Sequence, residues 1–267
     1  MRRVGFFAAV FVACAVALLF VTLPIVAIFT HVSPATLLRE LSNPVVDDAL
    51  VVSLKTTCEA QVLVLLLGTP TAYVLARRFP GRSLLLTLVE LPLVLPPAVA
   101  GLALLVAFGR NGLLHTSLPF TQPAVTLAAT FVGGPLFVRT AIAAFEAVDP
   151  GLLDASRTLG AGPARSFFRV LLPLARVGLG AGLALSFARG LGEFGATIMF
   201  AGSLQGVTQT LPLAIYSEFD VDLDVALAVS GLLVLISAAI LVALKVASAW
   251  TFSLQSSASR FVPSTSS

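Results

Sequence analysis

The chain has 267 residues, 58% of them hydrophobic and 11% charged, with a mean hydropathy of +1.02. Soluble domains carry about 25% charged residues, so this composition excludes a soluble domain and points to a polytopic protein whose spans are helices, because a backbone in lipid must satisfy its own hydrogen bonds. A net charge of +3 gives no sign of a nucleic-acid partner, and Cys14, Cys58, His31 and His115 are too few and too scattered for a disulfide framework, a metal site or a catalytic cluster.

Residues 4–29 form the first span, with Pro24 placed to kink its far end. At about 25 residues this run is too long for the core of a secretory signal, and it lacks a small-x-small exit. Ser33-Pro34 then caps a short amphipathic helix holding Leu37, Leu38 and Leu41. The second span covers 49–76. Its first half is polar (Ser53, Lys55, Thr56, Thr57, Glu59, Gln61), and a charge at a helix centre costs at least about 2.5 kcal/mol in lipid. Those side chains should therefore face protein or water, and Lys55 and Glu59 are spaced to pair along the helix. After the basic turn at 77–82, the third span runs over 83–108. Pro92, Pro96 and Pro97 should break or bend it, either as a kink filled by neighbours or as an opening that lines a cavity. The fourth span is 122–145, with Gly133-Gly134-Pro135 midway. A fifth span over 174–201, a polar loop over 202–222 and a sixth span over 223–250 complete the set. The serine-rich tail, 251–267, is expected to be a disordered cytosolic segment.

Between the fourth and fifth spans lies the segment 149–173. Asp149 suits a helix N-cap and Pro150 the first helical position. Leu152, Leu153, Ala155, Ser156 and Leu159 share a face, with Asp154, Arg157 and Thr158 off it. Gly160 can take the left-handed conformation that ends a helix, and Gly162-Pro163 starts another. Two short helices at an angle are expected.

Charge distribution orients the chain. With a cytosolic amino terminus, twelve of the sixteen basic residues lie on the inner side, including Arg77, Arg78, Arg82, Arg157, Arg165 and Arg169. Arg39, Lys55, Arg110 and Arg189 fall on the outer side or outer half. The positive-inside rule thus puts 149–173 in the cytosol.

In the fifth span, Arg189 and Glu193 are four apart and can pair. Gly190, Gly192 and Gly195 thin the helix around them for a close neighbour. Arg189 and Glu193, with Pro96 and Pro97, are candidates for a translocation path or gate; a structural pair buried between helices is the competing reading.

The order Asp154, Ala155, Ser156, then Gly160, then Val170, Leu172 and Pro173 resembles the coupling loop of ABC importer permeases. It has Asp for Glu, Ser for Ala and Val for Ile at 154, 156 and 170, changes that keep charge, size and branching. The stretch R-G-L-G-E-F-G-A-T-I-M-F-A-G from 189, T-Q-T-L-P-L-A-I-Y at 208–216, E-L-P-L-V-L-P-P-A-V-A-G at 90–101 and R-F-P-G-R at 78–82 resemble the molybdate branch of that family, with sulfate and tungstate importers as near alternatives. The resemblance covers 48–249.

It implies an all-α type I ABC importer permease fold: six transmembrane helices with a cytosolic pair of short coupling helices. Residues 1–48 would be an added helix and external loop, and 49–250 the permease core. It also implies Asp154, Ala155, Ser156, Arg157, Gly160, Val170, Leu172 and Pro173 as the ATPase-coupling residues. The implied partners are a second copy of the chain, two ATP-binding subunits on the cytosolic side and an external oxyanion-binding protein, all at the inner membrane. ATP and magnesium would sit on the partner ATPase, since this chain has no G-x-x-x-x-G-K-[ST] loop, and no catalytic residue or cofactor is expected here. An ion-coupled secondary transporter would need an ionisable relay and would leave 149–173 unexplained.

Overall fold

The computed structural model describes residues 2–31 and 33–259, and they form helices and loops with no strand among them. The helices are α1 (Arg2–His31), α2 (Pro34–Glu40), α3 (Pro44–Leu75), α4 (Arg82–Val94), α5 (Pro97–Phe108), α6 (Gln122–Glu146), α7 (Pro150–Thr158), α8 (Pro163–Leu191), α9 (Gly195–Ala201), α10 (Leu211–Glu218) and α11 (Leu223–Ser259). Five are long and apolar enough to cross a membrane, and the bent pair α4–α5, counted as one broken span, brings the number to six.

Local chemistry sets the starts. Ser33 and Asn43 accept the N–H groups of Thr36 and Val45 at 3.0 Å each, and a proline follows each cap in the first turn. Two prolines inside long helices are absorbed differently. Val64–Gly68 precedes Pro70 and Phe167–Leu171 precedes Pro173, and both stretches are widened into π-helix. A proline lacks an N–H and its ring crowds the carbonyl four residues back, so a wider turn lets the helix continue. At Pro96-Pro97 no such relief occurs. A residue before proline is driven to extended backbone, and here two in succession are, with Leu95 and Pro96 both at ψ 135. The chain turns by 114° between α4 and α5.

α6 sits at the centre and runs antiparallel to α8. Gly178 packs on Ala144, Gly182 on Thr140 and Phe137, Gly133 on Ser186, and Gly190 on Ala129. Glycines at these crossings let the backbones approach. One core cluster joins α3, α6 and α8 around Val64, Phe137, Ile142 and Leu171. A second joins α5, α6 and α9 around Ala100, Val125 and Phe200. A third holds α10 and α11 on α3 through Val46, Leu211 and Val229. α1 lies outside these clusters. Its apolar stretch is unburied, and it meets the rest where Phe29 and Ile28 approach Gly231 of α11.

The structure changes several sequence expectations. The second span begins at Pro44, five residues before the expected 49. The fifth begins at Pro163 and ends at Leu191, so the second of the two expected short helices is the continuous lower end of α8. The 202–222 segment is not all loop, because α10 lies within it. α11 continues through Ser259, past the expected start of the tail; residues 260–267 lie outside the described residues. Lys55 and Glu59 do not pair. Lys55 donates to Gln122 Oε1 at 2.7 Å and Glu59 Oε2 accepts from Thr126 at 2.9 Å. Both charges are thus held by α6, while Ser53, Thr56 and Thr57 are buried.

Candidate functional site

The ends of α3, α4 and α6 meet at one pole of the molecule. Arg82 Nη2 contacts Glu146 Oε1 at 2.6 Å, and its Nε donates to the Leu75 carbonyl at 2.7 Å. Tyr73, Phe145 and Phe167 stack edge to face beside them, with the Arg77 guanidinium over the Tyr73 ring. α7 is built onto this floor. Asp149 accepts the Gly151 N–H at 2.8 Å. The far end closes with Gly160 N–H on the Arg157 carbonyl and Ala161 N–H on the Ser156 carbonyl. That pair of bonds requires a left-handed residue, and Gly160 has φ +83.

Two residues tie α7 down. Leu153 is half-buried against the α3–α6–α8 cluster. Ser156 Oγ donates to the Leu153 carbonyl and bonds Ser166 Oγ of α8 at 2.8 Å. Leu152, Ala155 and Leu159 point away, with Leu159 88% exposed. The single apolar face expected from spacing is therefore split into an anchoring side and an outward apolar stripe. Asp154 and Arg157 pair at 3.0 Å, both exposed. The remaining motif residues are elsewhere. Val170 and Leu172 are half-buried in α8, and Pro173 follows its π-turn. They shape the helix that carries α7. Ser166 was missed by sequence reading; a serine near the start of a membrane helix is a weak signal without its partner.

The second constellation lies where two spans break. α8 stops at Leu191; Gly192, Glu193 and Phe194 bridge; and α9 starts at Gly195. Arg189 Nη1 meets Glu193 Oε2 at 2.7 Å, as the spacing predicts, although Glu193 lies beyond the helix end. Glu193 is 2% exposed, and its Oε1 accepts the Ala196 N–H at 2.7 Å. The same carboxylate thus neutralises Arg189 and caps α9. The break of α4–α5 touches this one. A Cβ on Gly195 would stand 2.4 Å from Pro97 Cβ, and one on Gly101 would stand 2.7 Å from the Ala196 carbonyl and from Met199 Cβ. Pro97 thus touches the second break, Pro96 forms the elbow, and both are otherwise exposed. Gly101 was not singled out from sequence, because a glycine in an apolar helix carries no pattern of its own. Gly192, expected to thin the helix for a neighbour, meets only its own Ala188 carbonyl.

The family profile for binding-protein-dependent transport system inner membrane components matches residues 65–251. The chain is 46% identical over 237 residues to the molybdenum transport system permease protein ModB of Mycobacterium tuberculosis, covering 83% of this chain and 87% of that one. It is 43% identical to a probable molybdenum ABC transporter permease of Haloferax volcanii, with 82% of each covered. Among solved structures, the inward-facing MetNI methionine ABC transporter aligns with a TM-score of 0.58 at 22% identity, over 74% of this chain and 92% of that chain. An amino acid ABC transporter with histidines aligns at 0.56 and 20% identity, over 76% and 92%. These two likenesses speak for the fold.

Proposed function

The chain belongs to the family of binding-protein-dependent transport system inner membrane components, and on that premise we propose that it is the membrane subunit of an ATP-driven importer for molybdate. The oxyanion arrives on an external binding protein and crosses by alternating access between two copies of this chain. ATP and magnesium are handled by two separate subunits that dock at the pole carrying α7. The amino terminus and that pole face the cytosol, in keeping with the basic residues gathered there.

The observation that carries the docking role is the outward stripe Leu152–Ala155–Leu159 on a helix fixed from behind by Leu153 and Ser156. A leucine exposed to 88% at the end of α7 is covered by nothing among the described residues, whereas it would fill a groove on a partner. Because α7 is bonded to α8, and α8 reaches the double break, a shift of α7 would be transmitted along one rigid helix to Arg189 and Glu193. Arg189, whose side chain is 37% exposed, would meet the anion in transit, and the Pro96–Pro97 elbow would move with it.

Molybdate is preferred over sulfate and tungstate on the names of the relatives, since all three ions are tetrahedral dianions. The test is assembly and stimulation: the chain purified with its ATPase should hydrolyse ATP faster when loaded binding protein is added. An ATPase that neither binds the chain nor responds to the binding protein would overturn the reading.

A further inference from the structure

Two donors converge on one acid at the break in the fifth span. One is the Arg189 guanidinium, whose side chain is 37% exposed. The other is the backbone N–H of Ala196, in the first turn of α9. A single carboxylate addresses both. Glu193 puts Oε2 on Arg189 at 2.7 Å and Oε1 on the Ala196 N–H at 2.7 Å, and it is 2% exposed while Arg189 is not buried. The geometry is asymmetric. The acid is buried and the guanidinium is partly exposed, and of the five N–H donors of a guanidinium it is Nη1 that meets the acid.

Without an acid behind it, an arginine in a low-dielectric span would hold a tetrahedral dianion tightly through paired N–H donors. A conduit fails if it binds its cargo so well that it cannot release it. With the acid in place, the local net charge is near zero. The partly exposed guanidinium still offers hydrogen bonds, and the long-range attraction is cancelled.

We propose that Glu193 is the counter-charge that sets how long Arg189 holds the transported oxyanion, and so keeps the break a transit point instead of a binding site. This rests on the importer reading. Glu193 acts as a positioning and tuning residue; it does not touch the anion.

The test uses the chain assembled with its ATPase and binding protein. Wild-type uptake of molybdate into vesicles tests the importer reading by itself, and the ratio of variant to wild type tests the counter-charge. Glu193→Gln keeps an Oε1 acceptor for Ala196 and removes the charge. It should retain roughly tenfold more molybdate after gel filtration than wild type, and take it up several-fold more slowly. Adding Arg189→Gln to it should abolish the retention. Unchanged retention and uptake in Glu193→Gln would overturn the proposal. So would a Glu193→Gln chain that fails to assemble while the Arg189→Gln, Glu193→Gln chain assembles and transports normally, since the pair would then serve only mutual neutralisation.

Discussion

Gly195 lies against Pro97 so closely that a Cβ on the glycine would stand 2.4 Å from the proline Cβ. Two spans therefore break at the same place, and each break is packed on the other. Gly195→Ala must push a pyrrolidine ring that belongs to the α4–α5 elbow and has no rotamer to yield. Overpacking of this kind costs about 1–3 kcal/mol, so the thermal midpoint in detergent should fall clearly. Gly180 of α8 has nothing within 4 Å of its would-be Cβ. Gly180→Ala should be neutral or stabilising by up to about 1 kcal/mol, which makes it the control.

Gly160 differs from both, because space is free around it and only its backbone is demanding, at φ +83. A β-branched residue there costs about 1–2 kcal/mol or unwinds the cap, whereas asparagine tolerates the left-handed region. Gly160→Asn should keep ATPase co-purification and Gly160→Val should lose most of it, with membrane insertion unchanged in both. Gly160→Pro should abolish docking.

The outward stripe of α7 can be tested without disturbing the fold. Leu159→Asp places a charge where the side chain is 88% exposed, so the free chain should melt as before. Capture of the ATPase should drop at least about tenfold if the leucine is an interface anchor worth 2 kcal/mol or so. Ala155→Glu should act the same way. Ser156→Ala, which cuts the bond to Ser166 at 2.8 Å, should weaken coupling more than binding: basal ATPase kept, stimulation by loaded binding protein reduced.

At the opposite pole Ser53 Oγ accepts the Leu211 N–H at 2.7 Å, with both residues buried. Ser53→Ala leaves that N–H without a partner, a loss of about 1–3 kcal/mol. The thermal midpoint should fall, and α10 should become the first segment to exchange its amide hydrogens.

Much of this architecture was legible from residue types alone. Pro96 and Pro97 announce a broken span, because the residue before a proline is driven to extended backbone, whereas Pro92 stays inside α4. Asp149, Pro150 and Gly160 delimit α7 for equally local reasons. What stayed hidden depends on partners far along the chain. The expected fifth span starts at 174, yet a π-turn carries α8 through Pro173 and joins a supposed coupling helix to that span. Lys55 and Glu59 have the spacing of a pair, yet Gln122 and Thr126 of α6 take one each. Pro212 near the start of α10 is a helix-start signal of the same kind as Pro150, but it was masked by the polar residues before it. The Arg189–Glu193 spacing pointed to the right contact for an incomplete reason. The two residues do not share a helix, and only the structure shows that Glu193 also caps α9.

The measurement that bears most directly on the central claim is ATP-driven uptake of molybdate into vesicles holding this chain, its ATPase and its binding protein, with tungstate and sulfate compared side by side. The account predicts uptake that needs both ATP and loaded binding protein, favours molybdate, and is lost in Leu159→Asp. Uptake that persists without ATP, or that follows an ion gradient and survives Leu159→Asp, would contradict it.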